Sequence, residues 1–429
     1  MSSALVISLI VLLVLFIINI PVSFALITSA ALYFFLMPDL NNIILAQRIM
    51  SGIESVPLLA VPFFVTAGVL MNYTGITKRM INFSETITGH MPGGLAQVNV
   101  VLSTLMGGLS GSSLADAAMQ SKILVPEMVK RGFSPAFSAA VTATSSLITP
   151  IIPPGIALII YGYVGNVSIG RLFLAGIVPG LLMCILCMIT VHIISKKRGY
   201  SPTRERRAPA REVLSASRDA FLALLLPVVI IGGIRFGIFT PTEAGSIAVA
   251  YALFLGTVFY REMNKKQLVE ALKDAVITTS SILLIIAGAS AVGWILTWEK
   301  VPHLATAFVT ELVHSPYMFL ILVNIFLIFL GMFIEGNVIL IILTPLMMPM
   351  VYAYGVDPVH FGIVFIINLS IATLTPPLGT IMFTTCSATG VKIIDFIKEI
   401  IPFYIMLFLV LLLVTFVPAI STFLPGLLM

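Results

Sequence analysis

The chain has 429 residues, of which 59% are hydrophobic and only 10% charged, with a mean hydropathy of +1.12. A water-soluble domain carries about 25% charged residues, so a soluble fold is excluded, and apolar runs able to cross about 30 Å of hydrocarbon recur from end to end. The net charge of +5 does not point to nucleic acid, because the basic residues gather in loops between those runs and report topology.

The pattern predicts an all-α polytopic membrane protein. Two apolar spans come first, 4–20 and 21–37; the first has no basic leader and no small-residue cleavage site, so it reads as a retained span. Residues 41–55 are more polar with helical periodicity, an amphipathic helix for the interface, and a third span follows over 57–73. Two limbs, 92–107 and 114–129, flank Gly107-Gly-Leu-Ser-Gly-Ser-Ser113 and are each too short to cross. A re-entrant hairpin over about 92–130, its irregular tip buried in protein, fits them. A fourth span, about 134–165, is broken at Thr149-Pro-Ile-Ile-Pro-Pro-Gly155, where proline leaves upstream carbonyls without donors. A fifth covers 171–195, and a basic linker runs over 197–219.

The series then recurs: spans at 221–239 and 241–260, an interfacial helix at 263–278, and a span at 281–298. A hairpin over about 316–352 surrounds Gly331-Met-Phe-Ile-Glu-Gly-Asn337. A broken span over about 359–388 is interrupted at Thr373-Leu-Thr-Pro-Pro-Leu-Gly379, and the last span covers 400–424. Pro126, Pro135, Pro153 and Pro179 are matched by Pro349, Pro358, Pro376 and Pro402, all at one constant offset in sequence number. The chain therefore reads as two copies of one unit, 1–196 and 220–429. Five crossings is an odd number, so the second copy is expected upside down. Placing the linker in the cytoplasm puts 19 of the 23 Lys and Arg on that side and leaves only Arg48, Arg171, Arg235 and Lys300 outside. That is the bias the positive-inside rule requires. The first hairpin then enters from the cytoplasm and the second from the periplasm.

Inverted repeats with re-entrant hairpins and broken helices are the pattern of secondary transporters. At each tip and break, helix N-termini offer N–H groups to an anion, while freed carbonyls and hydroxyls offer hard oxygens to a cation such as Na⁺. The first cluster of candidate ion and substrate ligands is Ser110, Gly111, Ser112 and Ser113 at the tip, with Ser145, Ser146, Thr149 and Gly155 at the break. The second is Glu335, Gly336 and Asn337, with Thr373 and Thr375. The bland reading is that these hydroxyls repair helix ends. Glu335 stands out, because a carboxylate at membrane depth is costly and usually functional. Asp116 could equally be a charge that satisfies a helix dipole.

Other motifs carry less. Cys184 and Cys187 form a CxxC inside an apolar helix with no second pair, which reads as packing, as does Cys386. The five histidines fall near loops or span ends, so neither a transition-metal site nor a catalytic role is expected. Gly108-Leu-Ser-Gly111 matches the GxSG of rhomboid-like intramembrane serine proteases, but no mid-membrane histidine is available to activate Ser110.

The chain resembles the large membrane subunit of the tripartite ATP-independent periplasmic (TRAP) transporters over nearly its whole length. The pieces that carry the resemblance are Gly107-Gly-Leu-Ser-Gly-Ser-Ser-Leu-Ala-Asp116, Ile148-Thr-Pro-Ile-Ile-Pro-Pro154, Gly331-Met-Phe-Ile-Glu335, Asp357-Pro-Val-His-Phe-Gly362 and Leu374-Thr-Pro-Pro377. The resemblance implies a bacterial inner-membrane importer with an elevator mechanism and Na⁺ as the co-transported ion. It implies a four-span small membrane subunit and a periplasmic solute-binding protein as partners. Its solutes would be carboxylates, of the sialic acid or C4-dicarboxylate type, with Na⁺ and substrate held at the tips and breaks named above. Many relatives carry serine after the first Pro-Pro pair, where this chain has Gly155. The alternative is a free-standing Na⁺- or H⁺-coupled anion symporter or antiporter that needs no soluble partner.

Overall fold

The computed structural model describes residues 2–18 and 20–429; Met1 and Asn19, which fall in the first expected copy, lie outside the described residues. Every regular element among the described residues is helical. The first half contains α1 (Ser3–Ile17), α2 (Val22–Leu36), α3 (Ile43–Ser51), α4 (Ala60–Met71), α5 (Ile76–Thr88), α6 (Gly94–Ser110), α7 (Ser113–Lys130), α8 (Pro135–Ser146), α9 (Ile156–Val164) and α10 (Ile169–Arg198). The second contains α11 (Ala210–Arg235), α12 (Pro241–Phe254), α13 (Lys265–Trp298), α14 (Val301–Leu312), α15 (Pro316–Gly331), α16 (Gly336–Ala353), α17 (Pro358–Ala372), α18 (Thr380–Thr389), α19 (Ile393–Phe416) and α20 (Ala419–Leu428). A 3₁₀ turn, Val56–Leu59, leads into α4, and a π turn, Leu255–Phe259, ends α12. Among the described residues six helices are long and apolar enough to cross a membrane, or eight if each of two bent pairs is one span.

Caps and breakers in the sequence set these ends. Ser134 and Asp357 stand at matched places before Pro135 and Pro358, and both cap. Asp357 Oδ1 accepts the N–H groups of Val359 (2.7 Å) and His360 (3.3 Å), and Ser134 Oγ accepts that of Phe137 (3.5 Å). Proline at the first helical position has no N–H to leave unpaired. Thr240 with Glu243, and Asn264 with Gln267, close reciprocal capping boxes that start α12 and α13.

Several elements differ from the sequence expectation. The interfacial helix at 263–278 and the span at 281–298 are one helix, the 34-residue α13. Val276-Ile-Thr-Thr-Ser-Ser-Ile contains no glycine or proline to stop it, so polarity changes along the helix without ending it. In the first half Pro57 follows the break after α3, and the chain bends by 54° into α4. Helices α5 and α14 occupy stretches to which the apolar pattern assigns no element. Both are short and amphipathic, and α14 turns by 119° into α15. Finally, the last span is α19, over residues 393–416, and the segment beyond it forms a separate short helix, α20.

The centre of the molecule is made of α6, α8 and α17, and α17 is buried from Val359 to Ala372 without a gap. Cys184 and Cys187 are buried in α10 and Cys386 in α18, all as free thiols. The segment between the halves straps the base of the first helix–loop–helix. The Tyr200 ring stacks on Phe133 (4.5 Å between centroids), and its carbonyl accepts the Gly93 N–H (3.2 Å). Thr203 N–H donates to Gly89 O (2.8 Å).

Candidate functional site

Helices α6 and α7 meet at a tip where Gly111 adopts a left-handed backbone (φ +60°) and Ser112 Oγ caps α7 by accepting the Ala115 N–H (3.4 Å). Facing it is the irregular segment between α8 and α9. The Ile156 N–H, at the first residue of α9, donates to Gly111 O (3.4 Å) and closes tip onto break. The second half has the same junction: Leu378 N–H, in the segment between α17 and α18, donates to Met332 O (3.1 Å) at the α15–α16 tip. A cis peptide bond joins Pro153 to Pro154 and Pro376 to Pro377.

Behind the first junction lies a continuous buried chain of polar side chains. Asn99 Nδ2 donates to Thr142 Oγ1 (2.7 Å), and Ser145 Oγ donates to Asn99 Oδ1 (2.8 Å). Ser103 Oγ lies 3.0 Å from Ser145 Oγ and accepts from Gln120 Nε2 (2.7 Å). Asp116 ends the chain. Its Oδ1 accepts from Gln120 Nε2 (2.6 Å) and its Oδ2 from Thr149 Oγ1 (3.1 Å), and it is only 1% exposed. A buried carboxylate with two neutral donors and no cation beside it is an acceptor-rich place. Ser145, Ser146 and Thr149 are all fully buried here, and Ser146 Oγ donates to Ala143 O (2.8 Å). Ser112 and Ser113 are half-buried at the tip. Ser110 is buried, and among the described residues its hydroxyl has no hydrogen-bond partner.

Gly155 has a steric role. A Cβ there would lie 2.1 Å from Pro150 O, so this backbone admits no side chain at that position.

The second junction is leaner. Glu335 stands exposed at the tip and accepts from Asn337 Nδ2 (3.1 Å), and Gly336 opens α16. Thr373 Oγ1 and Thr375 Oγ1 donate back to Ser370 O (2.6 Å) and Ile371 O (3.0 Å), the helix-end repair that threonine offers. Their remaining lone pairs are free to meet a cation. Behind them Asn368 Nδ2 donates to Asn324 Oδ1 (2.8 Å), and Asn324 Nδ2 to Thr415 Oγ1 (3.0 Å). Asn368 Oδ1 is buried and has no donor. Among the described residues no three His, Cys, Asp or Glu side chains group to hold a metal ion.

Sequence reasoning missed Asn99, Ser103, Gln120, Thr142, Asn324, Asn368 and Thr415, and left Asp116 undecided. The repeat held a signal for one of them, since Asn368 follows Ser145 at the offset of the matched prolines and makes the same contact to the hairpin limb.

Residues 9–420 match the family described as "Tripartite ATP-independent periplasmic transporter, DctM component". The chain belongs to this family. It is a transporter permease subunit of the bacterial inner membrane, and not an enzyme. It is 41% identical over 407 residues to the sialic acid TRAP transporter large permease protein SiaM of Vibrio cholerae, covering 95% of each chain. It is 37% identical to the C4-dicarboxylate TRAP transporter large permease protein DctM of Pseudomonas aeruginosa, covering 89% of each. Among solved structures the Alcanivorax borkumensis YdaH transporter has a similar fold, with a TM-score of 0.60 at 14% identity over 87% of this chain and 86% of that one.

Proposed function

We propose that this TRAP permease subunit imports a carboxylate-bearing organic acid, of the sialic acid or C4-dicarboxylate type, coupled to Na⁺. It works with a four-span small membrane subunit and a periplasmic solute-binding protein. Its two copies, 1–196 and 220–429, lie inverted in the membrane on either side of the cytoplasmic linker 197–219. The helix–loop–helix units and broken helices move as an elevator against the outer spans.

The observation that carries this reading is the paired junction of tip and break, Ile156 on Gly111 and Leu378 on Met332. Each junction gathers helix N-termini, hydroxyl oxygens and one carboxylate, Asp116 or Glu335. Hydroxyls that have already donated to carbonyls keep only lone pairs to offer, which suits a small hard cation. The N-termini of α7, α9, α16 and α18 stand at the tips and breaks, where their unpaired N–H groups would hold a substrate carboxylate. In this reading Ser110–Ser113, Ser145, Ser146 and Thr149 serve the first ion, and Glu335–Asn337, Thr373 and Thr375 the second. Gly155 keeps the first break open.

Uptake into proteoliposomes tests the reading. Sialic acid and a C4-dicarboxylate should enter only with the small subunit, the solute-bound binding protein and an inward Na⁺ gradient. Uptake by this chain alone would favour the free-standing symporter, and equal uptake under K⁺ would remove Na⁺ coupling.

A further inference from the structure

The second break is held by a residue that belongs to neither tip nor break. Among the described residues, every carbonyl from Ser370 to Thr375 has a donor. Ser370 O receives Thr373 Oγ1, Ile371 O receives Leu374 N–H and Thr375 Oγ1, and Ala372 O receives Thr375 N–H. Thr373 O receives Ile381 N–H (3.0 Å), and Thr375 O receives Gly379 N–H (3.1 Å). All of these donors lie in the broken helix itself. Leu374 O is the exception, because its donor is the hydroxyl of Tyr404 on α19, at 2.7 Å.

The bond's position gives it a consequence. The Leu374 carbonyl and the Thr375 N–H are the two ends of one rigid peptide plane. Tyr404 holds one end, and Ala372 O holds the other (2.9 Å). That plane sets where the Thr375 side chain points, and its neighbour Thr373 lies one peptide away. The first half meets the same need differently. Ile151 is the counterpart of Leu374 in the repeat, and its carbonyl is pressed by α10, where a Cβ on Gly176 would sit 2.1 Å from the oxygen. There the backbone of the flanking helix fixes the carbonyl by contact, and in the second half a phenol does so by a directed bond. The counterpart of Tyr404 in the first half is Leu181, which is exposed.

We infer that Tyr404 is a positioning residue for the second cation cluster, fixing the Leu374–Thr375 peptide plane so that the Thr373 and Thr375 oxygens are preorganised for the ion. The bond also turns the Leu374 oxygen toward α19. The inference rests on the Na⁺-coupled reading above.

Its test is a Na⁺ titration of uptake in proteoliposomes holding the chain with its small subunit and binding protein, comparing wild type with Tyr404→Phe. Loss of one such bond should raise the half-saturating Na⁺ concentration about fivefold, with the maximal rate at saturating Na⁺ kept. A purely structural contact would lower the amount of active protein and the maximal rate, and leave half-saturation alone. Wild-type uptake that ignores Na⁺ would sink the coupling reading and the inference with it. Wild-type uptake that titrates with Na⁺, beside an unchanged or lowered half-saturation in Tyr404→Phe, would overturn the inference alone. So would a Tyr404→Phe chain that fails to fold, since the bond would then be a folding contact.

Discussion

Gly155 is the residue where steric demand is most plainly separated from chemistry. An alanine there has no new polar group to add, yet its Cβ would overlap Pro150 O, so the break between α8 and α9 has to move. Overpacking of this kind costs about 1–3 kcal/mol when the neighbour is backbone and cannot turn aside. Gly155→Ala should therefore lower the melting temperature of the purified subunit and slow uptake. Gly155→Ser should do the same, because its hydroxyl sits on the same Cβ. A serine variant with wild-type stability and faster uptake would mean that the break reshapes freely and that the glycine is not needed. The position was legible in the sequence as a candidate contact to substrate. Its actual constraint was not, because the Pro150 carbonyl comes back on Gly155 only once both later prolines have turned the chain.

At the scale of elements, the sequence spoke most clearly where composition and breakers agree. The tips and breaks carry glycine and proline at fixed offsets, and these residues act locally, so their positions follow from the chain alone. Helices α5 and α14 were hidden because charged, amphipathic segments next to apolar runs read as connections. Each lays one face on the bundle, Ile76, Met80, Ser84 and Thr88 in α5 and Val301, Ala305 and Val309 in α14, which composition does not reveal. The length of α13 was hidden for the opposite reason: polarity changes along it where no residue ends the helix. The polar side chains of the buried network, such as Asn99 and Asn324, were legible only as isolated exceptions in apolar limbs. Their partners, Thr142 and Asn368, sit on other helices far along the chain.

The strap between the halves gives a prediction on this scale. Tyr200 packs its ring on Phe133 and Phe137 (5.3 Å to the latter), and its hydroxyl accepts the Ser134 N–H (3.1 Å) at the turn between α7 and α8. Arg198, two positions earlier, pairs with Glu399 of α19 (2.8 Å). The strap thus joins the start of α6 through the Tyr200 carbonyl, the start of α8 through the ring and its hydroxyl, and the start of α19 through the ion pair. The ion pair is partly solvated and contributes little, so the ring should dominate. Tyr200→Ala should destabilise the chain by about 2–3 kcal/mol, read as a fall in melting temperature. Arg198→Ala should have a smaller effect, and the reverse order would contradict this ranking.

For the whole molecule, helices of the two proposed copies pack across one another: α12 on α4, α13 on α2, and α18 on α7. Tyr161 Oη donates to Pro358 O (2.7 Å), and Arg171 meets Asp357 at 3.7 Å. A sequence repeat of this kind is therefore not a pair of separable domains, and the orientation of each copy in the membrane decides whether the two junctions face opposite sides. Gly132 and Gly355 offer a direct test. They occupy matched turns of the repeat, after α7 and after α16, and both are exposed with open space where a Cβ would go. Their backbones have positive φ, +86° and +66°, so a cysteine at either costs about 1 kcal/mol without a clash. The native thiols are buried, so an introduced cysteine should be the main target of a membrane-impermeant maleimide. Inverted copies require Gly355→Cys to react in cells with only the outer membrane opened, and Gly132→Cys to react only once the inner membrane is breached. Labelling of both from the same side would make the copies parallel. The junctions would then share one face, and an alternating path between two ion sites would have no structural basis.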